Sequence, residues 1–473
     1  MEQPSFTVYF ASFGALLGAL SMGLALGYTA PAFLDMVRDK QTPILDPSKD
    51  EQEAQKSLIA SMLAIGALVG GFLGEPCNKI LGRRLSLVFY GFPFIVGWIL
   101  LATANGIPML VMGRLLTGLC CGLVSGTAPT YVVEIAPPQI RGLLGTCFQV
   151  MVVIGILLAA VFGVFLSWHA LAWASLVSSI AMSIIMFFMP ETPQWLLSKG
   201  RNEEAEQSLC RLRSSPISQE LATMSQAAES AQQAGSQYSM QMIKSPEFYK
   251  PFLLALGLMF FQQFSGINAV LFYQGDIFAK VSENQDPLQS TIFVCLAQVV
   301  ATMLGSFLVD RLGRKILLFA SGAGHAISLV VLGLYFSLSQ KDTKFQAEYG
   351  WLALVALIVF ISAFSLGFGP VPWMMIPEIS SARVRSMVAS IATAFNWTCV
   401  YIVTASVKSL ITNLGDSFTY WIFALICLVS CFFVLFALPE TKGKSPGQIQ
   451  IELLGTNASQ SSPRTEEPMK AIA

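Results

Sequence analysis

Residues 262–268 read QQFSGIN within an otherwise apolar run. Gln262 and Gln263 each carry a donor and an acceptor with no net charge. Such groups can hold a neutral polar molecule where a buried charge would be costly. On a helix the two side chains point about 100° apart, so both reach one ligand only if the helix fronts a cavity. Gly266 and Asn268 permit the helix to break just beyond them. Inside a membrane a break is tolerated only where backbone lines a cavity or packs on protein. Amides that tie neighbouring helices together are the alternative reading. A further amide, Gln149, shares a helical stripe with Val152, Val153 and Ile156.

Other reactive chemistry is scarce. The chain has 2 histidines, His169 and His325, and its 9 cysteines show no C-x-x-C spacing for a metal or redox pair. With no phosphate-cradling loop either, the chain is expected to be no enzyme and to need no cofactor or metal.

The elements that position these amides are apolar. Of 473 residues, 54% are hydrophobic and 12% charged, against about 25% charged in soluble domains. Lys+Arg and Asp+Glu balance at 28 each, so no nucleic-acid partner is expected. A membrane helix needs roughly 20 mainly apolar residues. Stretches of that kind lie near 7–34, 57–74, 85–104, 108–128, 143–166, 168–189, 251–279, 289–310, 316–338, 351–377, 387–411 and 417–438. The expected fold class is therefore an all-α membrane protein, with twelve transmembrane helices in two pseudo-symmetric six-helix halves. Its expected domains are 7–189, a cytoplasmic linker with short helices at 190–250, a second half at 251–438 and a cytoplasmic tail at 439–473. Most Lys and Arg fall on one side, so both termini are expected to be cytoplasmic.

An internal repeat supports the two halves. LGRRLSL (81–87) recurs as DRLGRKILL (310–318), EIAPPQIRG (134–142) as EISSARVRS (378–386), and PETPQWL (190–196) as PETKGKS (439–445). A two-fold repeat is the plan of a carrier whose halves rock about a central site. The charges in these phrases form a candidate cytoplasmic gate: Arg83, Arg84, Glu134, Arg141, Glu191, Asp310, Arg311, Arg314, Glu378, Arg385 and Glu440. The arginines are expected to pair with Glu134 and Glu378 at the ends of neighbouring helices. Topology-setting positive charge with no other task is the alternative. One exposed pair contributes only ~0–1 kcal/mol, so only a network of several can bias two conformations.

These phrases, with PTYVVEIAPPQIRG (129–142), QQFSGIN (262–268), GFGPVPW (367–373) and NW (396–397), resemble the sugar porter family of the major facilitator superfamily. The likeness covers nearly all of 7–450, and in the C-terminal half it is nearest to facilitative glucose transporters of the intracellular animal class and to insect trehalose carriers. It implies facilitative transport of a hexose such as glucose by alternating access. A trehalose, polyol or inositol carrier, a proton-coupled symporter and a non-transporting sensor are the alternatives. Its expected partners are a small-molecule sugar and the lipid bilayer, in the plasma membrane or an endomembrane. It adds Gln298, Trp373, Asn396 and Trp397 to Gln149, Gln262, Gln263 and Asn268 as sugar-binding residues. Span 10, with two glycines and two prolines in GFGPVPW, is expected to be kinked or broken. Proton-coupled members carry an aspartate after the Gly-Tyr pair of span 1. Here Thr29 follows Gly27 and Tyr28, so uniport is expected.

Overall fold

The computed structural model describes residues 5–38, 45, 48–137, 139–214, 217–235, 245–281, 287–381, 384–444 and 446–454. Among these, 12 segments are long and apolar enough to cross a membrane. The first six are span 1 (Phe6–Arg38), span 2 (Glu51–Leu81), span 3 (Arg83–Ala102), span 4 (Ile107–Ile135), span 5 (Arg141–Phe165) and span 6 (Trp168–Phe188). The last six are span 7 (Pro246–Gln274), span 8 (Leu288–Val309), span 9 (Arg314–Ser339), span 10 (Glu348–Ile379), span 11 (Met387–Leu414) and span 12 (Asp416–Phe436). The all-α, twelve-span fold class expected above is the one observed. Short helices Pro193–Ser198, Asn202–Leu212 and Ser218–Gly235 follow span 6, and a tail helix, Pro446–Leu454, follows span 12. They lie where the Gly82 and Gly313 turns lie, which we call the linker end. The opposite one is the far end.

Local chemistry sets where spans begin. Ser5 and Ser167 adopt extended backbone and accept from Thr7 N–H and Ala170 N–H, capping spans 1 and 6. The span 6 terminus has a second acceptor, because Asp35 Oδ2 receives the Trp168 N–H at 2.8 Å.

Packing relies on close backbone approach, since lipid supplies no hydrophobic force between helices. A Cβ on Gly66 in span 2 would lie 2.1 Å from the Leu115 carbonyl oxygen. One on Gly118 in span 4 would lie 2.1 Å from that of Leu63. Within the first six spans, span 1 packs on spans 4, 5 and 6, and span 3 on spans 4 and 6. Within the last six, span 9 packs on spans 10 and 12, span 8 on span 10, and span 7 on span 11. Between the two sets, span 2 packs on span 11 and span 5 on span 8. At the far end, helix Thr29–Arg38 of span 1 also packs on helix Ile267–Val281, the second part of span 7. Outward-facing side chains such as Phe92 and Phe165 are apolar and exposed, a surface suited to lipid.

Candidate functional site

The interruption at 262–268 is a break. Helix Pro246–Phe264 ends at Ser265, Gly266 takes φ +88°, and the chain re-enters a helix at Ile267. Only glycine adopts that backbone without strain. Span 10 breaks as well: its helix ends at Leu366 and resumes at Val371 after a turn through Gly367–Pro370.

The two breaks are joined by amides. Gln262 Nε2 donates to the carbonyl oxygens of Phe368, at 2.7 Å, and Gly369, at 3.1 Å, acceptors that the span 10 turn has freed from helical bonding. Asn396 Nδ2 donates to Gln262 Oε1 at 2.7 Å, and Gln263 Nε2 donates to Asn396 Oδ1 at 3.2 Å. Asn268 Nδ2 donates to Gln263 Oε1. All four side chains are buried. The result is a neutral cluster linking spans 7, 10 and 11. Donors and acceptors held this way can exchange with hydroxyl groups without moving a charge. The same bonds also fulfil the helix-tying reading, so Gln262 serves the architecture whatever it binds.

The remaining sequence-chosen residues lie elsewhere. Gln298 is buried in span 8, and its Oε1 has no partner. Trp373 is half-buried beside Phe248, Phe252, Met259 and Val388, where spans 7, 10 and 11 meet. Trp397 is buried with its indole N–H unpartnered, and it approaches Gly71 of span 2, so it stands where the two sets touch. Gln149 is partly buried in span 5, while Val152 and Ile156 of its stripe pack on Gly23 and Gly27 of span 1. Arg114 in span 4 is fully buried, with Nη1 donating to the Ala25 carbonyl at 2.6 Å.

The linker-end charges form two matching units. Arg83 Nη2 meets Glu134 Oε1 at 2.9 Å, joining spans 3 and 4, and Arg314 Nη2 meets Glu378 Oε1 at 3.0 Å, joining spans 9 and 10. Both pairs stay within one six-span set. Glu191 and Glu440 do something different: they cap helices. Glu191 accepts the N–H groups of Arg83 and Arg84 at 3.0 Å each, and Glu440 those of Arg314 and Lys315 at 3.1 and 3.0 Å. Four free N–H groups and the helix dipole make each start a site for an anion. Gly82 and Gly313, at φ +86° and +96°, lead the chain into these starts. Burial raises the Glu191 pKa above the ordinary carboxylate value despite its backbone donors. Glu440 is less buried, and donors from Lys442, Lys315, Arg314 and Thr441 outweigh burial, so its pKa is lowered.

The other residues of the expected gate have quieter partners. Arg84 Nη1 donates to the Met189 carbonyl, and the Arg311 guanidinium lies 4.2 Å from the Phe307 ring centroid. Arg141 and Arg385 donate to the carbonyls of Ala136 and Ser380, both at 3.4 Å. The Asp310 side chain lies outside the described residues.

A contact that sequence reasoning missed crosses between the sets. Lys408 of span 11 pairs with Glu53 of span 2 at the far end, and its ammonium lies 4.7 Å from the Tyr273 ring centroid. Glu53 also holds Lys56 at 3.3 Å. A basic residue near the end of one span and an acid at the start of another were the available signal, but their pairing needs the tertiary fold.

Comparisons with known proteins agree with this architecture. The profile of the "Sugar (and other) transporter" family matches residues 6–453. Facilitated trehalose transporter Tret1 of Anopheles gambiae is 37% identical over 465 residues, 98% of this chain and 58% of the relative. The Polypedilum vanderplanki Tret1 is 36% identical over 466 residues, 98% of this chain and 91% of the relative. The chain thus spans little more than half of the mosquito protein and nearly all of the midge one. Among solved structures, a partially occluded inward-open xylose transporter XylE from E. coli superposes with a TM-score of 0.77 at 25% identity. That match covers 93% of this chain and 100% of that one.

Proposed function

Because the chain belongs to the sugar transporter family of the major facilitator superfamily, we propose that it is a facilitative carrier that equilibrates a neutral sugar by alternating access. One observation carries this reading: the uncharged Gln262–Gln263–Asn268–Asn396 cluster at the paired breaks of spans 7 and 10. Sugar hydroxyls are donors and acceptors at once, and amides match both roles. Gln149, Gln298, Trp373 and Trp397 complete the proposed site as the sets move.

Trehalose is the first substrate to test, since relatives alike over nearly the whole chain are named for it. A hexose such as glucose is the second. Uniport is favoured by the position of the acids. Thr29 stands where coupled members carry aspartate, and Asp35 of span 1 is occupied in capping span 6. The linker end is proposed to face the cytoplasm, because the repeated Gly-Arg turns gather there. The observed far-end contact of spans 1 and 7 then belongs to a state closed on the outside.

The test is uptake of labelled trehalose, glucose and myo-inositol into proteoliposomes, with and without an imposed pH gradient. Equilibrating uptake of one sugar, indifferent to pH, supports the proposal. Accumulation above equilibrium driven by the gradient refutes uniport. Binding without uptake of any sugar refutes a carrier.

A further inference from the structure

The linker end of the last six spans carries a cleft of about 550 Å³ that the transport reading does not use. Its walls come from the start of span 7, the second residue of span 9, the chain leaving span 12, and the tail helix. Lys250 and Lys315 supply its positive charge, Leu253, Phe436 and Leu438 its apolar surface, and Glu452 its one acid. Lys250 Nζ donates to the Leu453 carbonyl at 2.7 Å, and Lys315 Nζ to the Leu435 carbonyl at 2.7 Å. An ammonium has three donors, so these bonds fix the two lysines and leave further N–H groups on each. The Glu452 carboxylate is matched by Lys444. The cleft is thus net basic.

Its apolar side faces outward. Leu253 is 59% and Phe436 83% exposed, both on membrane-spanning helices. A basic recess bordered by lipid-facing side chains fits a phosphate group that carries acyl chains. We propose that this cleft binds the phosphate headgroup of an anionic phospholipid, with Lys250 and Lys315 on the phosphate and the acyl chains along Leu253 and Phe436. Given the cytoplasmic placement of the linker end proposed above, the lipid comes from the leaflet that is richer in anionic headgroups. The related position in the first six spans does not share the chemistry. There a smaller cleft of about 220 Å³ is lined by Arg84, Arg201 and Arg211 together with Glu191, Glu204 and Gln207. Arg201 is committed to Glu204 through two hydrogen bonds.

The occupant also links separate elements. Lys250 sits at the start of span 7 and bonds to the tail helix through the Leu453 carbonyl, and Lys315 is the second residue of span 9. A bound headgroup therefore ties the tail to the last six spans without touching the amide cluster.

Native mass spectrometry of the full chain in detergent tests this with dioleoylphosphatidylglycerol against dioleoylphosphatidylcholine. The expected result is a preference of roughly ten- to thirtyfold for phosphatidylglycerol, the ratio two basic side chains give near an anionic surface. The double variant K250S/K315S should bring the two lipids to parity, while K250R/K315R keeps the preference. Raising salt on the unaltered chain should shrink the preference, which keeps the test decisive if the serine pair fails to fold. Equal retention of both lipids, a preference indifferent to salt or to the serine pair, or inorganic phosphate bound as well as the lipid overturns the proposal. Sugar uptake does not enter these readings, so their failure is distinct from failure of the carrier reading.

Discussion

Lys408 on span 11 and Glu53 on span 2 form an ion pair across the two six-span sets at the far end, with side-chain exposures of 17% and 32%. The arginine–glutamate pairs at the linker end each stay within one set. Charge therefore fastens the sets to one another at the end remote from the Gly-Arg turns. Lys408→Ala is expected to weaken the far-end-closed state by ~1 kcal/mol, about a fivefold shift in populations. Spin-label distances across the far end should lengthen, and the swap E53K/K408E should restore them. Unchanged distances in both variants would remove the latch.

Gln262 binds two carbonyls of span 10, whereas Gln263 bonds only to side chains. Gln262→Ala strands buried acceptors and should cost ~1–3 kcal/mol of stability along with sugar binding. Gln263→Ala should lose binding with a smaller fall in melting temperature. Thermal unfolding in detergent, read beside equilibrium sugar binding, separates the two. Equal falls in melting temperature would show that the span 10 carbonyls matter little.

A Cβ added at Gly82 would lie 2.3 Å from Glu191 Oε2, and one at Gly313 2.8 Å from Glu440 Oε2. Both positions also have positive φ. Gly82→Ala and Gly313→Ala are each expected to destabilise by ~1–3 kcal/mol, the first more than the second. Melting temperatures of the purified variants check the order, and a reversed order would contradict the tighter fit at Gly82.

The two capping glutamates should respond to acid in opposite directions. Glu440 has a lowered pKa, so its contribution is present above the ordinary carboxylate pKa and fades as pH falls through its folded value. Glu191 has a raised pKa, so its contribution is full below the ordinary value and fades as pH rises through its folded one. Glu440→Gln should therefore destabilise at neutral pH, with the difference vanishing in acid. Glu191→Gln should be nearly neutral or stabilising at neutral pH, and the unaltered chain should gain on it as pH falls. Melting curves across the carboxylate range decide this; parallel curves for both variants would rule out the assignment.

Much of the architecture is legible in one dimension because lipid imposes a local rule. Every backbone group must be bonded within its own segment, so length and apolarity alone announce twelve spans, and a broken rule announces an interruption in one of them. QQFSGIN and GFGPVPW break it, and spans 7 and 10 break there. The repeat of the Gly-Arg and Pro-Glu-Thr phrases likewise exposes two related sets without coordinates. Partnership is another matter, since hydrogen bonds and ion pairs form between atoms far apart in the chain. Nothing in the order of residues says that the Gln262 amide closes on the Phe368 and Gly369 carbonyls. Nor does it say that Glu191 and Glu440 cap helix starts while their arginine neighbours turn to Glu134 and Glu378. Lys408 and Glu53 stand more than three hundred residues apart in sequence, and only the packing of span 2 on span 11 brings their charges within reach.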